Sequence, residues 1–162
     1  MKTSFIYAVL FTLSSTAIIA PSYASTSIHD SNVPHIYGNT QFPRARWGNI
    51  THTFRLHVPQ NSKAVSQLTI KVPENVTLSK DVSTNINVVN ENGQKINTNV
   101  SVNGKTIVLA FTEPVTPNTK FNVDLKNLKR RSFSENSVYS FSVQEVGLNG
   151  EIPLGTAWFP LY

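Results

Sequence analysis

The chain has 162 residues, 40% of them hydrophobic and 14% charged, and contains no cysteine. A chain of this length supports one ordinary domain that buries roughly 68 to 70% of its unfolded surface, so its core needs no covalent staple. The missing thiols exclude disulfide scaffolds, thiolate zinc sites, iron–sulfur clusters, thiol catalysis and lipidated-cysteine anchors. Fourteen Lys and Arg against nine Asp and Glu give a net charge of +5, which favours anionic surfaces but lacks the one-sided clustering of a nucleic-acid binder.

The chain opens with Lys2, then an apolar stretch from Phe5 to Ala20 softened by Ser14, Ser15 and Thr16, and then Ser22-Tyr23-Ala24. A basic start, an apolar middle and small residues at its end form a secretory signal. The spacing predicts a signal peptide over 1–24, cleaved after Ala24. The apolar run is short of the roughly 20 residues of a membrane-spanning helix, and no twin arginine precedes it. The mature chain is expected outside the cytoplasm, with no transmembrane helix.

From Ser25 to about Trp47 the sequence mixes Ser, Asn, Pro, Gly and His without regular apolar spacing, so 25–48 is predicted as a flexible N-terminal segment. A single β-sandwich domain is predicted over 49–162. Phe54, Leu56 and Val58 alternate with Thr53, Arg55 and His57, and Leu68, Ile70 and Val72 alternate with Gln67, Thr69 and Lys71. Ile86 and Val88 follow after turn residues. A period of two marks strands with one buried face.

Asn103-Gly104 can fill both left-handed positions of a type I′ turn. That turn would set Val102 against Lys105, Val100 against Ile107, Thr98 against Leu109 and Ile96 against Phe111. Pro114 and Pro117 lack the amide donor of a central strand, so 113–118 is predicted as a crossing loop. Phe121, Val123 and Leu125, then Tyr139, Phe141 and Val143, resume the alternation. Ile152 to Tyr162 is apolar on both faces, with Leu154, Trp158 and Tyr162 on one and Ala157, Phe159 and Leu161 on the other. Such a strand belongs in a sheet's middle or beneath a partner.

About seven or eight strands spaced by turn signals, with no 3.6-residue stripe, indicate an all-β fold, an antiparallel immunoglobulin-like β-sandwich. The competing solution, a small outer-membrane barrel, needs strands of roughly 9 to 11 residues, whereas these look shorter and are punctuated by Pro59, Pro73, Pro114 and Pro117.

The run Thr53-Phe54-Arg55-Leu56-His57-Val58-Pro59, the stretch from Gln67 through Val72-Pro73-Glu74, the turn Asn103-Gly104-Lys105, the segments Phe111–Val115 and Pro117-Asn118-Thr119, and Ile152-Pro153-Leu154-Gly155-Thr156-Ala157 resemble a secreted cyanobacterial group, domain-of-unknown-function family 2808. The resemblance spans about Thr51 to Tyr162. It implies a cyanobacterial source and an address in the periplasm, thylakoid lumen or medium, and it carries over no catalytic or binding residues.

Three constellations are candidates for chemistry. His29, His35, His52 and His57 all lie early in the mature chain. Metal ligands must converge to about 2 Å from one ion. His52 and His57 are five residues apart and so point to opposite faces of a regular strand. A copper site would therefore join His52 with the tail histidines His35 and His29; the alternative is solvated or loosely packed histidines. The basic run Lys126, Lys129, Arg130 and Arg131, with Arg44 and Arg46 as additions, matches carboxylate, sulfate or phosphate groups, or else forms a solvated loop guarding a sheet edge. Tyr37, Phe42, Trp47, Trp158, Phe159 and Tyr162 can stack on sugars; for Trp158 the core is the expected place.

The sequence contains no nucleophile elbow, phosphate-cradling glycine loop or His-Glu-x-x-His helix, and no cofactor is implied. The expected function is therefore a non-catalytic binding or structural module of the cell envelope, with an envelope protein or acidic polysaccharide as partner. The alternatives are a periplasmic copper carrier using histidines and a polysaccharide hydrolase with carboxylates far apart in sequence. Nucleic acid is not an expected partner.

Overall fold

The computed structural model describes residues 32–44, 48–131 and 135–160. The leader, His29, Arg46, Trp47, Leu161 and Tyr162 lie outside them. The strands in chain order are β1 (His35–Phe42), β2 (Gly48–Val58), β3 (Val65–Lys71), β4 (Val76–Thr77), β5 (Ile86–Asn90), β6 (Thr98–Asn103), β7 (Thr106–Val115), β8 (Thr119–Arg130), β9 (Ser137–Glu145) and β10 (Glu151–Phe159). One 3-10 turn, Val82–Asn85, precedes β5. The strands form two five-stranded antiparallel sheets. The first runs β1-β2-β8, with β4 and β5 both pairing with β8; the second runs β10-β9-β3-β7-β6. The β-sandwich read from the sequence is the architecture observed, with ten strands instead of about seven or eight, and with β2, β7, β8, β9 and β10, of 9 to 12 residues each, longer than expected.

Alternation sets the interior. Ile50, His52, Phe54, Leu56 and Val58 of β2 are buried, as are every second residue of β9 from Ser137 to Glu145. Phe54 of the first sheet meets Tyr139, Phe141 and Phe159 of the second at ring-centroid distances of 4.9, 4.8 and 5.6 Å. Edge-to-face contacts of this kind between facing sheets hold the layers together. Between β2 and β8 the register shifts twice, where Asn49 and Asn127 adopt φ of 56° and 54°. The bulges let Leu125 and Leu128 both point inward. Each such burial contributes about 1.5–3 kcal/mol.

Four sequence expectations are corrected. The segment 25–48, predicted flexible, contains β1, an eight-residue strand laddered to β2 from His35↔His57 to Phe42↔Thr51. It lacks the alternation of a half-buried strand because, of its residues, Gln41 alone is buried. The β6–β7 hairpin turns on Gly104-Lys105, with Asn103 opposite Thr106, so Val100 faces Leu109 and Ile107 faces Val102. Gly104 has φ +58° and Asn103 is not left-handed, which fits glycine at the first central position of a II′ turn rather than Asn-Gly in a I′ turn. The partner moves by two residues, so every side chain keeps its face. β7 continues through Pro114 to Val115, and the offset between Gln67↔Ala110 and Val65↔Val115 opens the ladder around the proline. Finally, the last strand is neither central nor covered on both faces: β10 is an edge strand.

Candidate functional site

Edge strand β1 of the first sheet lies against edge strand β10 of the second along a seam. Asn39 Nδ2 donates to the Trp158 carbonyl across it at 2.9 Å. Beside this bond is a groove of about 470 Å³, walled by Asn39, Thr40, Phe42, Arg44, Trp158 and Pro160, with Gln41 and Phe159 toward the core. On β10, Ala157 and Phe159 point inward, which puts Trp158 outside: it is 51% exposed, and Phe42 is 76% exposed. The core placement expected for Trp158 is therefore corrected. Its cross-strand neighbour Val138 is 46% exposed. Leaving large apolar side chains in water is unfavourable at roughly 25 cal/mol per Å², and a groove that joins two exposed rings to an Arg, an Asn and a Thr has the make-up of a ligand cleft.

A buried polar network holds the walls. Gln41 Nε2 donates to the carbonyls of Arg44 at 2.9 Å and Pro43 at 3.3 Å, which turns its Oε1 toward His52 Nε2 at 3.1 Å. His52 Nε2 is then the protonated nitrogen, and Nδ1 accepts from the Tyr139 hydroxyl at 2.8 Å. The imidazole also stacks on Phe159, with centroids 3.8 Å apart and planes within 8°. Burial first, and the Arg130 charge second, push the His52 pKa down to about 3, while burial pushes the Tyr139 phenol up. Both groups are 0% exposed. Among the described residues the most perturbed titratable pair thus sits out of reach of solvent.

Arg130 completes the network. Its guanidinium donates to the carbonyls of Glu135 (3.2 Å), Pro160 (3.3 Å) and Phe159 (3.4 Å), and to Gln41 Oε1 at 3.5 Å. Burial lowers its pKa. The basic run does not form an edge loop: it ends β8, which is flanked there by β2 and β4. Lys126, Lys129 and Arg131 are exposed, whereas Arg130 is turned into the seam. Arg44 lies on the groove instead of joining that run.

The histidines are distributed differently from the grouping read in the sequence. His52 uses both ring nitrogens in hydrogen bonds and shares the inner face of β2 with Phe54 and Leu56. His35 stands opposite His57, not His52, with ring centroids 5.1 Å apart. Burial first, then His35 and Lys120, lower the His57 pKa against an opposing Glu91. Among the described residues no three His, Asp or Glu side chains gather as a metal site.

Solved structures of similar shape are β domains. The bacterial hydrophobin BslA aligns with a TM-score of 0.53 and 10% identity, covering 80% of this chain and 95% of that one. A collagen-binding domain from a Staphylococcus aureus adhesin aligns at 0.45 and 11%, covering 80% and 96%. A cohesin module from a Clostridium perfringens family 33 glycoside hydrolase aligns at 0.42 and 14%, covering 79% and 94%. Likeness at such identities is one of fold, and fold does not carry function. No curated protein matches the chain. A family model does match, over residues 31–157, a span that takes in β1 and nearly all of β10, and the chain belongs to that family, described as a protein of unknown function (DUF2808).

Proposed function

We propose that the protein is an exported, non-catalytic binding module of the cell envelope, and that the seam groove holds its partner, an acidic polysaccharide. The observation that carries this reading is the exposure of Trp158 and Phe42 on either side of a groove that also presents Arg44. Aromatic faces stack on the apolar faces of sugar rings. A guanidinium pairs bidentately with a uronate carboxylate or sulfate ester, and Asn39 and Thr40 offer hydrogen bonds to hydroxyls. The net charge, +5 for the whole chain and +4 without Lys2 of the leader, favours an anionic polymer over a neutral one. Export is supported by the signal-like layout of residues 1–24.

The test is calorimetric titration with a polyuronate and with a neutral glucan of similar length. The polyuronate is expected to bind more tightly, and Trp158→Ala to weaken it about tenfold, as the loss of one stacked ring predicts. Arg44→Gln is expected to erase the difference between the two polymers. Equal binding of both polymers by the unsubstituted protein, or an unchanged affinity in Trp158→Ala, refutes the reading.

A further inference from the structure

Strand β6 ends the second sheet; among the described residues its backbone bonds to β7 alone, and the 3-10 turn Val82–Asn85 lies near it without a backbone hydrogen bond to it. The hairpin closes on Asn103↔Thr106, and the Thr112 amide donates to the Asn97 carbonyl at 3.0 Å. Asn97, Asn99, Ser101 and Asn103 therefore direct their backbone groups to β7, and Thr98, Val100 and Val102 direct theirs outward. The other edges are guarded. β1 and β10 lie against each other, joined by the Asn39–Trp158 bond. The outer side of β5 is met by its own chain, through Ile96 N–H to Val88 O at 2.8 Å and Asn90 N–H to Gln94 O at 2.9 Å. β4 is two residues long. β6 contains no charge, proline or bulge, the devices that keep sheet edges apart.

The side chains say which strand fits. Thr98, Val100 and Val102 share a face with the buried Phe111, Leu109 and Ile107, yet Val100 is only half-buried and Val102 is 37% exposed. Asn99 and Ser101 occupy the other face. The complementary strand is apolar on one side and polar without charge on the other, and β6 itself has that pattern. Two copies set antiparallel about a twofold axis at Val100 place Val100 opposite its symmetry mate, Thr98 opposite Val102 and Asn99 opposite Ser101. In that register the three outward-facing residues form hydrogen-bonded pairs that use all their free N–H and C=O groups. We propose that β6 pairs with β6 of a second copy, joining two five-stranded sheets into one of ten. A single strand pair buries less than the roughly 1,200 Å² of a stable interface, so the association is weak and depends on concentration.

The test uses the protein as recovered from cells, taking advantage of a chain without cysteine. A hydrogen-bonded cross-strand pair has Cα atoms about 5.5 Å apart, within disulfide range. Under mild oxidation Val100→Cys is expected to cross-link at least about tenfold faster than Asn103→Cys, which in this register lies opposite Asn97 of the second copy and far from the other cysteine. Sedimentation equilibrium is expected to show a monomer–dimer equilibrium that Val102→Lys, at an already part-exposed site, shifts toward monomer by about tenfold or more. A protein that is monomeric up to about 1 mM, equal cross-linking of the two cysteine variants, or a dimer indifferent to Val102→Lys overturns the proposal.

Discussion

The buried His52 ties stability to pH with a calculable slope. Its pKa is pushed from 6.5 down to about 3 in the folded protein, so the folded state resists a proton that the unfolded chain accepts. Because the folded pKa of this base is depressed, its contribution is fully present above about pH 6.5 and is lost as pH falls from there toward 3. The loss runs at about 1.4 kcal/mol per pH unit; between pH 8 and pH 5 it amounts to about 2 kcal/mol, and its limit is about 5 kcal/mol. His57 titrates in the same direction and Glu151, whose carboxyl is held low by Ser142 and Thr69, acts only under its own ordinary range, so a difference measurement isolates His52. His52→Gln keeps a donor for Gln41 and an acceptor for Tyr139 but has no charge to gain. Urea unfolding at a series of pH values is expected to show the variant less stable by about 1–2 kcal/mol at pH 8, from the lost ring stack. The wild-type curve falls more steeply on acidification, so the two meet near pH 5. Parallel curves, or an imidazole proton resonance for His52 that titrates near 6.5, refute the buried-neutral assignment.

Two further variants separate the core network from the basic surface. Tyr139→Phe leaves His52 Nδ1 buried without its donor, and the urea midpoint is expected to fall by the equivalent of about 1–3 kcal/mol with an unchanged slope. Replacing Lys126, Lys129 and Arg131 together by Ala removes three exposed cations and spares the Arg130 clamp; elution from an anionic column is expected at lower salt, with stability changed by less than about 0.5 kcal/mol per site. Unchanged elution removes these cations as a partner surface.

The strands that sequence reading finds are those with one dry face. Phe54, Leu56 and Val58, or Tyr139, Phe141 and Val143, announce themselves because their neighbours in sequence meet water. His52 carried the same signal, since it is in phase with Phe54 and Leu56; an imidazole two residues before that run is better read as a core polar group than as a ligand. β1 gave no such signal because a backbone ladder and the Gln41 and Asn39 side chains hold it, not a hydrophobic stripe. The hairpin register escaped because Asn103-Gly104 and Gly104-Lys105 are both credible turns, and both leave the same residues on the same face. For β10 the phase was legible and its direction was not: with apolar residues on both sides, sequence does not say whether Trp158 or Phe159 faces the core.

The same limit explains Arg130. In sequence it is one cation among four, and nothing local distinguishes it from Lys129 or Arg131; what selects it is the set of carbonyls at Glu135, Phe159 and Pro160 that the fold brings within reach. Those contacts give the core network a role in the groove. Gln41 ties the β1 wall through the carbonyls of Pro43 and Arg44, Arg130 ties the β10 wall through those of Phe159 and Pro160, and Gln41 Oε1 is the shared acceptor between Arg130 and His52. No backbone ladder links β1 to β10 among the described residues, so the width of the groove depends on these side chains and on the Asn39–Trp158 bond. A proton on His52 would remove the acceptor for the Tyr139 hydroxyl and set a second positive charge beside Arg130. The groove walls and the core are therefore coupled through one imidazole, whose two hydrogen bonds require it to stay neutral.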